Sequence, residues 1–196
     1  MKKQHFSLVE LLVVIAIIAI LAGLIIPTVG GMREKARATQ AKAEMNSIKT
    51  AILAFESTYG VLPLKDTTGA DIVETAGAKK GRVLSGNNGY DRIMEWLTQS
   101  DCYGVAGFDT NSPNTRKIKF LDPKPAGGSW KDPWADRGDH ETNGEYVIYM
   151  DDDYDGKVTI AGNELYGKVF IYTLGTNWKN DEDGDSKKGN INNWDK

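Results

Sequence analysis

The stretch FSLVELLVVIAIIAILAGLIIP, residues 6–27, decides how this chain is read. From Leu11 to Ile26 no residue is charged or strongly polar. With Phe6 to Val9 added, the run reaches the ~20 residues that a helix needs to cross a membrane. Lys2 and Lys3 precede it, and taken by themselves under the positive-inside rule they place the amino terminus in the cytoplasm and everything after Pro27 on the far side. Glu10 is the anomaly. A carboxylate near the end of an isolated apolar span costs free energy that nothing in that helix repays, which marks it as a functional residue. A secretory signal peptide would share the basic start and the apolar core. Here the basic leader is five residues long, the apolar run exceeds a usual signal core, and no Ala-x-Ala site lies between Ile26 and Arg33.

Beyond Pro27 the helical period continues with a different surface. Ala38, Ala41, Met45, Ile48, Ile52, Phe55 and Tyr59 recur at steps of three and four, which is one apolar stripe. Arg33, Glu34, Lys35, Arg37, Lys42, Glu44 and Lys49 occupy the other faces, and Gly60 supplies a stop. A helix from Phe6 to Tyr59 is predicted, roughly 80 Å long at about 1.5 Å per residue, with a kink or local unwinding at Pro27. Its second half must pack on a domain.

Residues 61–89 lack helical period and read as loop. A short amphipathic helix is predicted at Tyr90–Gln99, with Ile93, Trp96 and Leu97 on one face. KIKFL at 117–121, EYVIYM at 145–150, KVTI at 157–160 and GKVFIYTL at 167–174 read as strands of a small antiparallel sheet against the long helix. The fold class is therefore α+β, with an amino-terminal helix packed on that sheet.

Composition narrows the function. The 196 residues, 40% apolar and 26% charged, suffice for one modest core plus the helix. A net charge of -3 without a basic stripe gives no footprint for nucleic acid. Cys102 is the only cysteine, so no intrachain disulfide forms. A phosphate loop, a nucleophile elbow and an HExxH pair are all missing, so a structural protein is expected instead of an enzyme.

Residues 6–27 resemble the class III signal and hydrophobic helix of type IV pilins and pseudopilins. That resemblance implies a leader, residues 1–5, cleaved by a prepilin peptidase between His5 and Phe6, followed by N-methylation of Phe6. It also implies that Glu10 meets the terminal ammonium of a neighbouring subunit's Phe6, so that two charges costly alone in lipid become a pair inside a fibre. The family usually has Gly where this chain has His5. Cleavage would remove Lys2 and Lys3 from the 24 basic side chains set against 27 acidic ones, leaving a more acidic chain. Residues 28–196 would form a periplasmic globular domain, anchored by a single pass through the inner membrane.

Three later segments are similar to the major pseudopilin of type II secretion: DPW at 132–134, YTLGTN at 172–177 and NINNW at 190–194. The implied function is a structural subunit of a pseudopilus, a fibre that self-assembles on an inner-membrane platform and drives protein export. A type IV pilin for adhesion, motility or DNA uptake is the alternative within the family. A calcium-dependent binding module on a membrane anchor is the alternative outside it.

The resemblance further implies a calcium ion held near the carboxy terminus. By position its ligands fall on the Leu174 carbonyl, Asn177, Lys188 and Asn190; lysine cannot ligate calcium, so Asp183 and Asp185 would take over. A second candidate stands on spacing alone. Asp151, Asp153 and Asp155 before Gly156 have the D-x-D-x-D-G pattern of an EF-type loop, with Val158 at the hydrophobic position. The twelfth position, which needs a bidentate acid, holds Gly162, and Glu164 lies two residues late.

Overall fold

The computed structural model describes residues 7–86, 89–100, 111–124, 130–136, 144–175 and 190–194, with the backbone alone at 24–30 and 78. His5, Phe6, Cys102 and the segment 176–189 lie outside it. In chain order the elements are α1 (Leu8–Tyr59), a 3-10 turn (Gly77–Lys79), α2 (Tyr90–Thr98), β1 (Val147–Met150), β2 (Lys157–Ile160), β3 (Asn163–Tyr166), β4 (Val169–Thr173) and β5 (Ile191–Asn192). The architecture is α+β. The chain divides into two compact units, Met1–Arg37 and Ala38–Lys196.

In the first unit, α1 carries apolar side chains on every side and exposes them. Leu8 is 80% exposed and Ile20 66%, and Leu11, Val13, Ile15 and Ile18 are each exposed by half or more. A helix that is hydrophobic all round belongs in an apolar surrounding. Among the described side chains no helix is both long and apolar enough to cross a membrane; the sequence run reaches that length only with Leu24, Ile25 and Ile26. Of the kink or local unwinding expected at Pro27, the unwinding does not occur, because the backbone stays helical across it. Proline deletes one donor, and the hydrogen-bond ladder on both sides of it continues.

The second unit has its core where the stripe predicts. Ala41, Met45, Ile48, Ile52 and Phe55 of α1 are fully buried, in one cluster with Ile93, Trp96 and Leu97 of α2 and with Ile148, Met150, Val169 and Ile171 of the sheet. Antiparallel pairing orders that sheet β1-β4-β5, with Ile148 opposite Ile171 and Thr173 opposite Ile191. Alternation sends Val147, Tyr149, Phe170 and Tyr172 to the opposite face, where they meet Val158 and Ile160 of β2. The sheet is thus buried on both faces.

The predicted single sheet is in fact two, since among the described residues β2 and β3 pair only with each other. Their connection is a two-residue turn in which Ala161 and Gly162 both have positive φ, 49° and 84°, the handedness that matches a twisted hairpin. Nor does KIKFL form a strand. Lys117 has φ 51°, Ile118 N–H donates to Asn114 Oδ1, and Phe120 and Leu121 N–H both donate to the Leu97 carbonyl at the end of α2. Those donors are satisfied by a loop and a helix end, so no partner strand is needed.

Candidate functional site

The loop between β1 and β2 gathers the acids that the spacing singled out. Asp151, Asp153 and Asp155 each offer a carboxylate oxygen, all within 4.8 Å of one another. Asp151 is buried, at 2% exposure, directly after the buried strand β1, while Asp153 and Asp155 face solvent. Backbone donors shape the loop. Asp155 N–H reaches Asp151 Oδ1 at 3.2 Å, Gly156 N–H reaches Asp151 Oδ2 at 2.9 Å, and Lys157 N–H reaches Asp155 Oδ1 at 2.9 Å. Gly156, at φ 84°, takes the left-handed turn that lets the chain enter β2.

A cation already answers this charge. Lys80 Nζ, from the loop after the 3-10 turn, lies 2.5 Å from Asp153 Oδ2 and 3.5 Å from Asp152 Oδ1. Hydrogen bonding to Lys80 holds the Asp153 carboxyl below its ordinary value, and the same bond raises Lys80. Asp151 moves the other way: burial pushes its carboxyl up, and the neighbouring Asp153 adds to the rise against the two backbone donors. Beside the triad is a depression of about 280 Å³, lined in part by Lys80, Asp152, Asp153, Asp155 and Lys157.

The donor set is hard oxygen throughout, which suits calcium or magnesium and no soft metal. The closing acid of an EF-type loop has no equivalent among the described residues. Gly162 is used in the hairpin turn, and Glu164 lies in β3 with its Oε1 2.7 Å from Lys157 Nζ. A divalent ion here would compete with Lys80 and complete its shell from backbone and water.

Of the other candidate ligands, Leu174 and Asn190 are described and both are buried. In sequence Leu174 directly follows β4 and Asn190 directly precedes β5. Asn177, Asp183 and Asp185 lie outside the described residues. The three later motifs converge on β4. The Thr173 hydroxyl donates to Asp132 Oδ2, Trp134 N–H donates to Asp132 Oδ1 at 3.0 Å, and β5 pairs with Tyr172 and Thr173. The Trp194 ring then meets Phe170 and Tyr172 edge-on at 5.8 and 6.2 Å.

At the start of α1, Glu10 has a partner within its own chain. Its Oε2 accepts Ser7 N–H at 2.8 Å, the glutamate half of a capping box. Ser7-x-x-Glu10 is legible as that motif, and the apolar run obscures it. Sequence reasoning also put Glu44 on a solvent face. Its side chain is only 12% exposed, and its Oε2 accepts from Lys124 Nζ at 2.8 Å and from the Tyr146 hydroxyl at 2.6 Å. The partners are 80 and 102 residues away, so no local pattern announces them. Comparison with protein-family models, with curated proteins and with solved structures finds no match to this chain.

Proposed function

We propose that this chain is a pilin-like structural subunit of a type II secretion pseudopilus. Residues 1–5 are removed by a prepilin peptidase, residues 6–27 hold the subunit in the inner membrane and later in the fibre core, and the α+β domain stands in the periplasm. The observation that carries this reading is that α1 has two surfaces: apolar and exposed on all sides from Leu8 to Leu21, then buried along one stripe from Ala41 to Phe55. The first surface needs lipid or other copies of itself, whereas the second is already covered. One such helix per subunit, packed side by side with a rise, gives a heterologous contact that does not close and so grows a filament.

The role is mechanical and not catalytic. Glu10 serves assembly through the Phe6 ammonium of a neighbour. Orientation in this reading follows the leader-processing resemblance and not the charge count, since Arg33, Lys35, Arg37 and Lys42 after the run outnumber Lys2 and Lys3 before it. Calcium, held by the Asp151, Asp153 and Asp155 loop or by the segment from Leu174 to Asn190, braces the domain. The acidic loop is also what favours the second reading, a membrane-anchored calcium-dependent binding module.

Expression beside a pseudopilus assembly system tests the proposal through the mass of the mature chain and the yield of sedimentable fibre. Wild type should lose residues 1–5 and form fibre; Glu10→Ala should be processed yet form none. A chain that keeps residues 1–5, or a Glu10→Ala variant that assembles like wild type, would sink the fibre reading and leave the anchored module.

A further inference from the structure

The segment that follows the apolar run in α1 reads Arg33-Glu34-Lys35-Ala36-Arg37, and it belongs to the first unit, before the domain begins at Ala38. Arg33 and Lys35 are exposed, as is Met32 at 68%. The one acid among them, Glu34, is turned to Arg37, its Oε1 3.5 Å from Nη1. At ~100° per residue Arg33 and Arg37 share a face and Lys35 lies on the opposite one, so the positive charge surrounds the helix.

Distance along the helix places this charge at a defined depth. Arg33 lies seven positions beyond Ile26, about 10 Å at the ~1.5 Å rise. The polar layer of a leaflet is roughly 5–8 Å thick, from a bilayer of about 40–45 Å around ~30 Å of hydrocarbon. Side chains on a helix lean toward its amino terminus, which here is toward the apolar run. The long stems of Arg33 and Lys35 therefore reach back into the headgroup layer.

We infer that Arg33, Lys35 and Arg37 form a cationic collar that binds the anionic phospholipid headgroups of the leaflet in which residues 6–27 end. The inference rests on the reading that residues 6–27 span a membrane, and it holds for either orientation. Arg is suited to the task because its planar fork matches two phosphate oxygens at once. The collar fixes how far α1 sits in the bilayer, and the contacts must be given up when a subunit leaves the membrane.

The test uses the full chain reconstituted in phosphatidylcholine bilayers, with spin-labelled phosphatidylcholine or phosphatidylglycerol as the probe, and reads the lipid immobilised at the protein surface. Wild type should prefer phosphatidylglycerol. Arg33→Gln/Arg37→Gln should weaken that preference by about 25-fold, at about fivefold for each cation lost. Arg33→Lys/Arg37→Lys should retain most of it, and high salt should screen it. Equal immobilisation of the two lipids by wild type, or an unchanged preference in the glutamine variant, overturns the collar while leaving the span intact. The absence of any immobilised lipid, with release of the protein by alkaline carbonate, overturns the span itself.

Discussion

Calcium should stabilise this protein by an amount that the loop's own chemistry limits. Three carboxylates within 4.8 Å, no closing bidentate acid among the described residues, and an ammonium 2.5 Å from Asp153 describe a weak site. Affinities of about 10⁻⁴ to 10⁻³ M are typical of extracellular calcium modules. At about 10 mM calcium such a site adds roughly 1.4–2.7 kcal/mol to the folded state by mass action. For a domain of this size that raises Tm by roughly 3–10 °C. The assay is thermal unfolding of the full chain in detergent micelles, with calcium or with chelator. Asp153→Ala should lose the shift with little change in the chelated Tm, because an exposed ion pair contributes little. Lys80→Met should enlarge the shift by removing the internal competitor. As pH falls through the raised value of Asp151 the shift should shrink, since a protonated carboxyl is a poor ligand. Equal Tm in calcium and chelator would refute the reasoning for both loops. A shift that survives in Asp153→Ala and disappears in Asp185→Ala would move the ion to the carboxy-terminal segment.

Two further predictions concern the domain. Tyr146→Phe removes the hydroxyl that donates to Glu44 at 2.6 Å in the interior; a hydrogen bond to a charged group is worth about 1.5–3 kcal/mol, and denaturant unfolding should show a loss of that size. The Asp66 carboxylate accepts from the Thr68 hydroxyl at 2.6 Å, from the N–H groups of Thr68 and Ala70, and from Arg92 at 2.7 Å. Burial acts to raise it, and these donors outweigh burial and hold it below its ordinary 3.8. A lowered carboxylate stabilises above the unfolded value and loses that contribution as pH falls through the folded one, so the acid limb of the stability curve should steepen below about pH 4. Asp66→Asn should flatten that limb, and denaturant midpoints measured across it give the check.

What the sequence disclosed depended on the range of the interaction. The stripe from Ala41 to Phe55 was legible because burial along a helix repeats at a short fixed interval. β2 was legible to the residue, its Lys157–Ile160 run being β-branched and bounded by turns. β5 was not: two residues, Ile191 and Asn192, are a strand only because β4 lies beside them. β3 was missed for a related reason, since three of its four residues are exposed and the Ala161-Gly162 turn folds it onto β2. KIKFL misled by propensity, its donors being captured by Asn114 and Leu97. In the candidate site the triad followed from the spacing of three aspartates. Lys80 did not, because its approach across 73 residues is set by the tertiary fold. Gly81 hints at that approach: a Cβ there would collide with the Met150 carbonyl, so the loop carrying Lys80 comes against β1 closely enough to require glycine.

The carboxylate inside the apolar run now has two explanations, and they act at different stages. In the single chain, Glu10 accepts Ser7 N–H and so satisfies a donor that the first turn of any helix leaves open. A neutral glutamine at position 10 would accept the same N–H without placing a charge among Leu8, Val9, Leu11 and Leu12. The cap therefore accounts for a polar group at this end and not for its ionisation. A hydrogen bond from a neutral amide leaves the net charge in place, and burying that charge against other apolar helices still costs several kcal/mol. Only a positive partner removes that cost, and after cleavage at Phe6 the nearest new cation in the chain is the terminal ammonium. On the proposed fibre reading, the capped monomer and the paired fibre use the same oxygen atoms in turn, and Glu10→Gln separates the two roles. Glutamine retains an acceptor for Ser7 N–H, so helix content measured by circular dichroism should hold while fibre yield falls. Loss of both together would mean that Glu10 is a cap and nothing more.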